Sequence, residues 1–489
     1  MNIKVCGNYG HSTYGNLRRK SEWAFQQLGH TIEESNPEMI LTFGTAAKWD
    51  ELKNYRAKKI LLCHGVDWWK GFDTPQNKEL KELWDNCDGL VYSSKFAKHM
   101  AEKVFGKRDG LIVWNPGVAE IPETSLSWKK GETVHITTCA IFRAWKRLYE
   151  MERLVKMMND KGQPTELHVV GQAGATPESY IHYYGMKSHK EMKEIFRKCH
   201  FYMHLAFNDY SPATVGEAMG WGLPVMITNS GGSPDLVQDA GVILQTDPFI
   251  DYPFAIHRED ILPKVDNDIF ECGFWEMMNN LSYYQQKNKE WVLKEANIIK
   301  QSEKILRLYA STSNYEETQK TRGMSGNDEI SPWIASFMEK HGDYIKEPVL
   351  DIGGGDGNFV LYLKNKGIFS IAMDISDAAI KRSLEFKKVP IVMGDVQERI
   401  PYPDKSFKTI TMFHSLEHFI LPTRAISEIN RVLNGNLCII VPNQKGWDEN
   451  HGHFSYFPNL ESIKKLLSDF KILVEENWGN MFLIIANNE

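Results

Sequence analysis

The sequence predicts an α/β protein made of three doubly wound domains in series. Short apolar runs alternate with amphipathic stretches, which is the pattern of strands and helices around parallel sheets. The alternation runs from residue 2 to 115 and resumes after a polar, proline-containing connection, IPETSLSWKKGE (121–132). A glycine-rich turn, VLDIGGGDGNF (349–359), then opens a third set, and 489 residues suit three units of about 150 residues each.

The first domain, assigned to 1–127, is predicted from five strand-like runs with amphipathic segments between them. The runs are NIKVCG (2–7), EMILTFG (38–44), KILLCHG (59–65), GLVYSS (89–94) and LIVWN (111–115). Helices are predicted at SEWAFQQLG (21–29) and SKFAKHMAEKVFG (94–106), the second with apolar side chains at helical spacing and a glycine suited to end it.

The second domain, assigned to 128–310, is predicted from a further five runs and a closing helix. The runs are TVHITTC (133–139), LHVVG (167–171), FYMHLA (201–206), PVMITN (224–229) and GVILQ (241–245). One long helix is expected over 285–309. The low hydrophobicity of 311–328 predicts a linker, so the third domain is assigned to 329–489.

Composition narrows the class of protein before any motif is used. The seven cysteines have no paired or CxxC spacing, which argues against a disulfide framework and a structural zinc site and favours a reducing cytoplasm. No apolar stretch approaches the roughly 18 residues of a membrane span, which leaves only peripheral contact with the inner membrane face open. A net charge of −6 gives no electrostatic support for nucleic-acid binding.

The segment HLAFNDYSPATVGEAMGWGLPVMITNSGGSPDLV (204–237) carries the chemistry of the second domain. Asp209 is predicted in a loop and Glu217 on the following helix, both near the carboxyl edge of the sheet, where ligands bind in open parallel sheets. Gly231 and Gly232 form a turn into another helix, whose N–H groups and dipole would favour a diphosphate. A carboxylate that can accept hydrogen bonds from ribose hydroxyls, next to N–H groups that can bind a diphosphate, is typical of a nucleotide-sugar site.

The order of these features resembles the two-domain, GT-B type retaining glycosyltransferases of family 4, over roughly residues 1–310, with two Rossmann-like domains. Asp209 stands where that family has Glu; Glu217, the Ala-Met pair after it, Pro224-Val225 and the Gly-Gly turn match. VYSSKFAKHMAEKVFG…IVWNPGV and YYGMKSHKEMKEIFRKCHFYMHLA match its flanking passages. The resemblance implies that Glu217 holds the donor ribose and that Asp209 contacts the transferred sugar.

The same resemblance assigns four more groups. Arg143 and Lys146 of FRAWKR would neutralise the departing diphosphate, with Arg147 open as an alternative to Lys146. The backbone at Gly185 and Met186 would meet the nucleotide base. His64, after a strand of the first domain, either faces the reacting sugar or is a structural histidine in a tight loop.

In the third domain, VLDIGGGDGNF has glycines at alternate positions after an acidic residue. The third glycine of a dinucleotide fingerprint would fall on Asn358, so the pattern does not favour NAD. The segment resembles motif I of class I S-adenosylmethionine-dependent methyltransferases, which have a Rossmann-like fold. The resemblance implies these cofactor-binding residues: Asp351, Gly353, Gly355 and Gly357 near the methionine moiety, Asp374 at the ribose, and Asp395 with Val396 at the adenine.

The methyl acceptor would need a base if it is a hydroxyl. His414 and His453 are the catalytic candidates, with Glu417 and His418 of HSLEH as further candidates and a structural role as the alternative for each histidine. VPNQKG…GHFSYFPNLESIKKLL resembles the C-terminal part of small-molecule and sugar O-methyltransferases. A divalent ion near HSLEH is compatible with its acidic character, but no complete ligand set is evident and we expect no resident metal.

Together these patterns predict a bifunctional enzyme with a nucleotide-sugar donor and S-adenosylmethionine. It would transfer a sugar with retention to a glycan or glycolipid acceptor and methylate a sugar hydroxyl in the same glycan, as in polysaccharide biosynthesis. Two alternatives remain at this point. The first half could be a non-catalytic glycan-binding module beside a methyltransferase, or the enzyme could glycosylate hydroxylated DNA bases, for which the sequence shows no basic groove. Donor, acceptor and oligomeric state are not determined by the sequence.

Overall fold

A computed structural model describes residues 1–7, 13–67, 73–114, 118, 123, 126–172, 178–247, 262–311, 330–443 and 453–488. The chain divides into two compact units. One consists of Ile3–Ala24 and Glu34–Ile305, and the other of Met1–Asn2, Phe25–Glu33 and Leu306–Glu489. The predicted domain boundaries stay predictions. The predicted linker beyond Ser311 lies outside the described residues. Residues 115–117, which belong to the IVWNPGV passage, also lie outside them.

The first sheet has six strands in the order β2-β1-β3-β4-β5-β6. They are β1 (Asn2–Val5), β2 (Thr31–Ile32), β3 (Met39–Phe43), β4 (Lys58–Cys63), β5 (Gly89–Tyr92) and β6 (Leu111–Ile112), and β1, β3, β4, β5 and β6 pair in parallel. The helices are α1 (Thr13–Gln27), α2 (Trp49–Leu52), α3 (Pro75–Asn86) and α4 (Lys95–Phe105). Every residue of β3 is buried, as expected for a strand covered on both faces.

The second sheet also has six strands, all parallel, in the order β12-β11-β10-β7-β8-β9. They are β7 (Val134–Ile141), β8 (Thr165–Gln172), β9 (Ile181–Gly185), β10 (Phe201–His204), β11 (Val225–Thr228) and β12 (Gly241–Leu244). The helices are α5 (Leu148–Asp160), α6 (His189–Phe196), α7 (Ala213–Gly220), α8 (Ser233–Val237), α9 (Asn267–Asn279), α10 (Leu281–Trp291) and α11 (Ile298–Ser311). Short helical segments at Ala144–Lys146 and Val292–Ala296 complete the set.

The third sheet has seven strands in the order β15-β14-β13-β16-β17-β19-β18. They are β13 (Val349–Ile352), β14 (Ser370–Asp374), β15 (Ile391–Met393), β16 (Phe407–Phe413), β17 (Leu433–Pro442), β18 (Lys471–Trp478) and β19 (Met481–Asn487). Only β18 and β19 run antiparallel to their neighbours among the described strands. The helices are α12 (Pro332–His341), α13 (Asn358–Asn365), α14 (Asp377–Arg382), α15 (Pro422–Val432) and α16 (Leu460–Lys464), with short segments at Gly342–Tyr344, Ser383–Lys387, Leu416–His418 and Lys465–Leu467.

These three sheets confirm the predicted α/β fold class with its Rossmann-like domains. The carboxyl ends of β4, β7, β9, β10 and β11 lead into the segments that carry the predicted sugar-transfer residues, and those of β13, β14 and β16 lead into the predicted methyl-transfer residues. An edge of this kind is where parallel sheets bind ligands, because the connecting loops gather there.

The single helix predicted over 285–309 is wrong. The helix changes to a π-helical turn at Val292–Ala296 and is interrupted at Asn297, whose ψ of 133° is extended. The reason is a backbone contact that a helix cannot make: the Val118 N–H donates to the Ala296 carbonyl at 2.8 Å, and the Ile298 N–H donates to the Val118 carbonyl at 3.0 Å. A long-range strand-like bridge therefore overrides the local helical periodicity.

Candidate active sites

Lys146, Asp209 and His204 form a charged cluster beyond the carboxyl ends of β7 and β10. The Lys146 ammonium donates to Asp209 Oδ2, and His204 Nε2 lies 3.1 Å from the same oxygen. Lys146 ends the short helical segment after β7, while His204 is the last residue of β10. The structure thus brings two of the predicted catalytic residues together and adds His204, which the sequence did not single out.

The charge of Asp209 is stabilised by these neighbours. Burial alone would raise the pKa of its carboxyl, but Lys146 and His204 outweigh that effect and hold the pKa well below its usual value. Burial lowers the pKa of His204 despite its hydrogen bond to Asp209. The cluster at neutral pH is therefore a carboxylate already paired with an ammonium.

Arg147 has a different role from Lys146. Its side chain is fully buried and makes a two-pronged ion pair with Asp247, with Nη1–Oδ2 and Nη2–Oδ1 distances of 2.9 Å each. Its backbone φ of 54° is left-handed. Arg143 is exposed, with its guanidinium 5.3 Å from the centre of the Trp145 ring. Of the two alternatives, only Lys146 reaches Asp209.

Glu217 lies on α7, close to the basic side chains of Lys20 and His189. Its Oε1 is 3.6 Å from Lys20 Nζ and 3.8 Å from His189 Nδ1, and the side chain is 12% exposed. His189 opens α6, directly after the turn that contains Gly185 and Met186. The predicted ribose and base residues are therefore neighbours, and Lys20 is a further member of this site that sequence reasoning missed.

Gly185 and Met186 form an open corner at the end of β9. Gly185 has a φ of 68°, and a Cβ there would meet nothing within 4 Å. Met186 is 69% exposed. The backbone at this corner is accessible to a planar ligand, as the predicted base contact requires.

The Gly231-Gly232 turn packs tightly on the loop that holds Asp209. A Cβ on Gly231 would lie 2.5 Å from the Asp209 carbonyl oxygen, and one on Gly232 would lie 2.0 Å from that of Tyr210. The Gly232 N–H donates to the Asp209 carbonyl at 2.7 Å, and the helix that follows has only five residues. The Gly232 N–H therefore closes the turn against the acidic loop, and the diphosphate contact expected from the helix after this turn stays a prediction.

His64 follows β4 in a turn that contacts the residue after Asp209. The Tyr210 hydroxyl donates to the Val66 carbonyl at 2.7 Å, and a Cβ on Gly65 would lie 2.5 Å from the Tyr210 ring. Burial lowers the pKa of His64 to about 4. The imidazole is neutral at pH 7, and its turn is held against the Asp209 loop.

In the smaller unit, Asp351 and the glycine turn of 353–357 occupy the end of β13. The Thr411 hydroxyl donates to Asp351 Oδ1 at 2.6 Å, and burial, aided by the nearby Asp374 charge, raises the pKa of Asp351 to about 7. Gly353 has a φ of 70°, and a Cβ there would lie 2.4 Å from that of Ser415. Gly355 also has a positive φ, 52°, but a Cβ there would meet nothing within 4 Å.

Asp374, at the end of β14, is tied to the same turn. Its carboxylate accepts the Gly355 N–H at 2.9 Å and the Ser376 N–H at 2.8 Å. Burial raises its pKa although these N–H groups oppose the change. A buried carboxylate next to the open space at Gly355 suits a ligand whose hydroxyl groups can donate hydrogen bonds.

Asp395 and Val396 lie after β15. Asp395 Oδ1 accepts the Gln397 N–H at 2.8 Å, while Oδ2 is 3.0 Å from Arg307 Nη1. Val396 is buried in the core of the sheet. The Arg307 ion pair was not predicted, and it occupies the oxygen that an adenine amino group would need.

The HSLEH segment and the segment around His453 meet in the structure. The Glu417 carbonyl accepts the N–H groups of Phe454 and Ser455 at 2.7 and 2.9 Å, and the His418 and His453 rings have centroids 4.8 Å apart. Glu417, His418 and His453 offer ligand atoms within 4.8 Å of one another, so these three could hold a metal ion.

His414 and Glu417 form the other pair in this segment. His414 Nδ1 lies 3.4 Å from Glu417 Oε1, and its Nε2 lies 3.3 Å from Met481 Sδ. Glu417 is 1% exposed, and neither carboxylate oxygen has a hydrogen-bond partner among the described residues. His414 has a φ of 55°, uncommon for a residue with a side chain.

Residues 350–439 match the family model described as "Methyltransferase domain". This match confirms the predicted resemblance of the third domain. A demethylmenaquinone methyltransferase of Clavibacter sepedonicus is 23% identical over 150 residues, 30% of this chain and 60% of the relative. An uncharacterized protein of Methanocaldococcus jannaschii is 38% identical over 95 residues, 19% of this chain and 34% of the relative. The chain thus spans less than two thirds of either relative.

Solved structures are similar to different parts of the chain. A Pyrococcus horikoshii protein covers 35% of this chain and 99% of its own length at 18% identity and a TM-score of 0.30. TarM covers 60% of this chain and 58% of its own at 13% identity and a TM-score of 0.41. A TarM variant of S. aureus, in complex with fondaparinux, α-GlcNAc-glycerol and UDP, has a TM-score of 0.42 at 13% identity, covering 60% of this chain and 59% of its own.

Among the described helices, none combines the length and apolar character that crossing a membrane requires. The methyltransferase match supports S-adenosylmethionine as cofactor. No comparison supports a resident divalent cation.

Proposed function

We propose that this chain carries two transferase sites. The third domain would be an S-adenosylmethionine-dependent O-methyltransferase, and the first two sheets would form a retaining glycosyltransferase that uses a nucleotide sugar. The observation that supports the first most is Asp374, a buried carboxylate bonded to the Gly355 N–H beside the HSLEH segment. The geometry behind the second is the Lys146, Asp209 and His204 cluster at the carboxyl edge of its sheet.

The residues of the methyl-transfer site would bind and align. S-adenosylmethionine supplies an electrophilic methyl group when bound. Asp374 would accept hydrogen bonds from the ribose hydroxyls of the cofactor. The open space beside Gly355 would allow the cofactor to lie against the backbone of the glycine turn. In the transfer the S–CH₃ bond breaks, an O–CH₃ bond to the acceptor forms, and the acceptor hydroxyl loses its proton.

His414 would be the base that takes this proton. Glu417 Oε1 lies 3.4 Å from its Nδ1, and since neither carboxylate oxygen has a hydrogen-bond partner in the described structure, Glu417 would stabilise the imidazolium that forms. His453 stands against His418 and would shape the acceptor pocket. Glu417→Gln should therefore lower kcat more than it changes KM, because it removes the stabilising charge and keeps the shape.

In glycosyl transfer, Lys146 would stabilise the departing diphosphate. The bond between the anomeric carbon and the phosphate oxygen breaks, a bond to the acceptor oxygen forms on the same face, and the acceptor proton passes to the leaving phosphate. A fixed ammonium at this oxygen lowers the barrier, since negative charge grows there. Glu217 would hold the donor ribose, and His64 would face the sugar.

Calorimetry on the full chain tests both sites at once. S-adenosylhomocysteine and each of UDP, GDP, ADP and dTDP are titrated into the wild type, Glu217→Ala and Asp374→Ala. We expect saturable binding of S-adenosylhomocysteine that only Asp374→Ala abolishes, and of one nucleotide that only Glu217→Ala abolishes. Each variant is thus the folding control for the other site.

Two results would contradict the proposal. If the wild type does not bind S-adenosylhomocysteine, the proposed methyltransferase activity is contradicted. If none of the four nucleotides binds while S-adenosylhomocysteine still does, the proposed glycosyltransferase activity is contradicted. The first half would then be a binding module.

A further inference from the structure

Three histidines and a glutamate meet on one face of the second sheet, at the end opposite to the candidate sugar-transfer site. They are His135 on β7, Glu166 and His168 on β8, and His182 on β9. His135 pairs with Glu166 across the strands, and His168 pairs with His182. Since paired residues and residues two apart point to the same face, all four side chains share that face.

Their donor atoms converge on one carboxylate oxygen. Glu166 Oε2 lies 3.3 Å from His135 Nδ1, 3.7 Å from His168 Nε2 and 3.0 Å from His182 Nε2. His135 Nδ1 and His168 Nε2 are 3.2 Å apart. In a tetrahedral zinc site with bonds of about 2.0–2.1 Å, neighbouring donor atoms are about 3.3–3.4 Å apart. The observed separations lie close to that spacing.

We propose that His135, Glu166 and His168 bind a divalent transition-metal ion of the zinc type, while His182, whose Nε2 lies 3.0 Å from Glu166 Oε2, orients that carboxylate. Imidazole and carboxylate donors without thiolates suit zinc and its neighbours rather than calcium or magnesium. The side chains of His135, Glu166 and His182 are 32%, 34% and 38% exposed, so an ion can reach them from solvent. The absence of paired cysteines, which argued against structural zinc, does not bear on a histidine site.

The surrounding contacts orient the rings as metal ligands require. The Tyr184 hydroxyl lies 2.9 Å from His168 Nδ1, which leaves Nε2 directed at Glu166. The His135 backbone N–H donates to His200 Nδ1 at 3.0 Å, and the His135 and His200 rings stack with their centroids 5.7 Å apart.

The ion would have a structural role, in which it links neighbouring strands, and it would take no part in catalysis. His135, Glu166 and His182 are each the second residue of their strand, so they mark the amino edge of the sheet. His135 and Ile141 are six positions apart on β7, which is about 20 Å at about 3.3 Å per residue. The sugar-transfer residues follow the carboxyl ends of these strands, so the metal would fix β7 to β8 away from the reacting groups.

Zinc titration of the full chain, freed of any histidine purification tag, tests the site. Binding is measured by competition with a chromophoric chelator, and bound metal is counted by elemental analysis after dialysis. We expect His135→Gln/His168→Gln to lose one equivalent of zinc relative to the wild type, whereas His99→Gln, which removes an exposed histidine on α4, keeps it. His453→Gln also keeps this equivalent, which separates it from zinc held near Glu417.

Two milder variants guard against loss of folding. Glu166→Gln keeps the shape of the side chain and should weaken zinc binding about 100-fold or more, and Tyr184→Phe should weaken it roughly 10–100-fold by freeing the His168 ring. Zinc should raise the thermal midpoint of the wild type and not that of the double variant. Equal zinc content in wild type and double variant, or unchanged affinity in Glu166→Gln, would overturn the site.

Discussion

Replacing Asp351 with asparagine should make the third domain more stable at alkaline pH than at acidic pH, relative to the wild type. Burial raises the pKa of Asp351 from 3.8 to about 7. Between these values the unfolded chain has released the proton that the folded chain still holds. Stability must then fall as the pH rises from about 4 to about 7, and the loss is complete above 7. Asparagine has no proton to release.

The size of the effect follows from the shift. About 3 pKa units at about 1.4 kcal/mol each give at most about 4 kcal/mol above pH 7. At pH 5 only about 1–2 kcal/mol of this cost is present, so the advantage of the variant should grow by about 3 kcal/mol between pH 5 and pH 8. For a domain of this size that is roughly 5–10 °C in the thermal midpoint. The Thr411 hydrogen bond can be kept by the asparagine carbonyl oxygen, so the comparison isolates the charge.

Differential scanning calorimetry of the full chain at pH 5, 6, 7 and 8 measures the difference. In the wild type, the third-domain transition is identified as the one that S-adenosylhomocysteine raises. Contributions of all other titrating groups cancel to first order when the two proteins are subtracted at each pH. A difference that stays constant from pH 5 to pH 8, or that shrinks, would refute the assignment of a raised pKa to Asp351.

Two further predictions concern neighbouring cations in the second sheet. Arg147→Met should lower the free energy of unfolding by about 3–5 kcal/mol, because it leaves Asp247 buried and unpaired, and Arg147→Met/Asp247→Leu should recover most of this loss in chemical denaturation. Lys146→Ala should lower kcat for sugar transfer about 100-fold and leave methyl transfer unchanged, because the lost ammonium faces the leaving phosphate. Equal effects of Lys146→Ala on both activities would point to unfolding instead.

Much of the strand pattern was accessible from sequence because central parallel strands are apolar on both faces. β3, β10 and β11 are buried throughout and were found as continuous runs. β9 was not among the predicted strands, since IHYYG carries polar and aromatic residues at a sheet edge. The break at Asn297 was also missed, because its cause is the backbone of Val118, which no local pattern encodes.

The same distinction applies to the sites. Asp209, Glu217, Asp351 and Asp374 were predicted as site residues because each lies inside a recognisable motif. Lys20 and Arg307 were not, since they reach their carboxylates from helices far away in sequence. Lys146 and Arg147 could not be told apart from the sequence, because their ion-pair partners, Asp209 and Asp247, lie far along the chain. The alternation Glu166-x-His168 was a usable signal for the metal site, but its partners lie on two other strands.

The two candidate sites place buried carboxylates in opposite electrostatic states, and this difference indicates the charge that each ligand should carry. Lys146 already neutralises Asp209 and holds its pKa low, so an anionic diphosphate can be accommodated only by sharing that ammonium. Asp351 and Asp374 are buried with raised pKa values, and no lysine or arginine pairs with either carboxylate among the described salt bridges. A ligand bearing positive charge would therefore promote their ionisation, and its affinity should increase with pH through about 7. S-adenosylmethionine, with a sulfonium and an ammonium, meets that requirement; a nucleotide sugar does not.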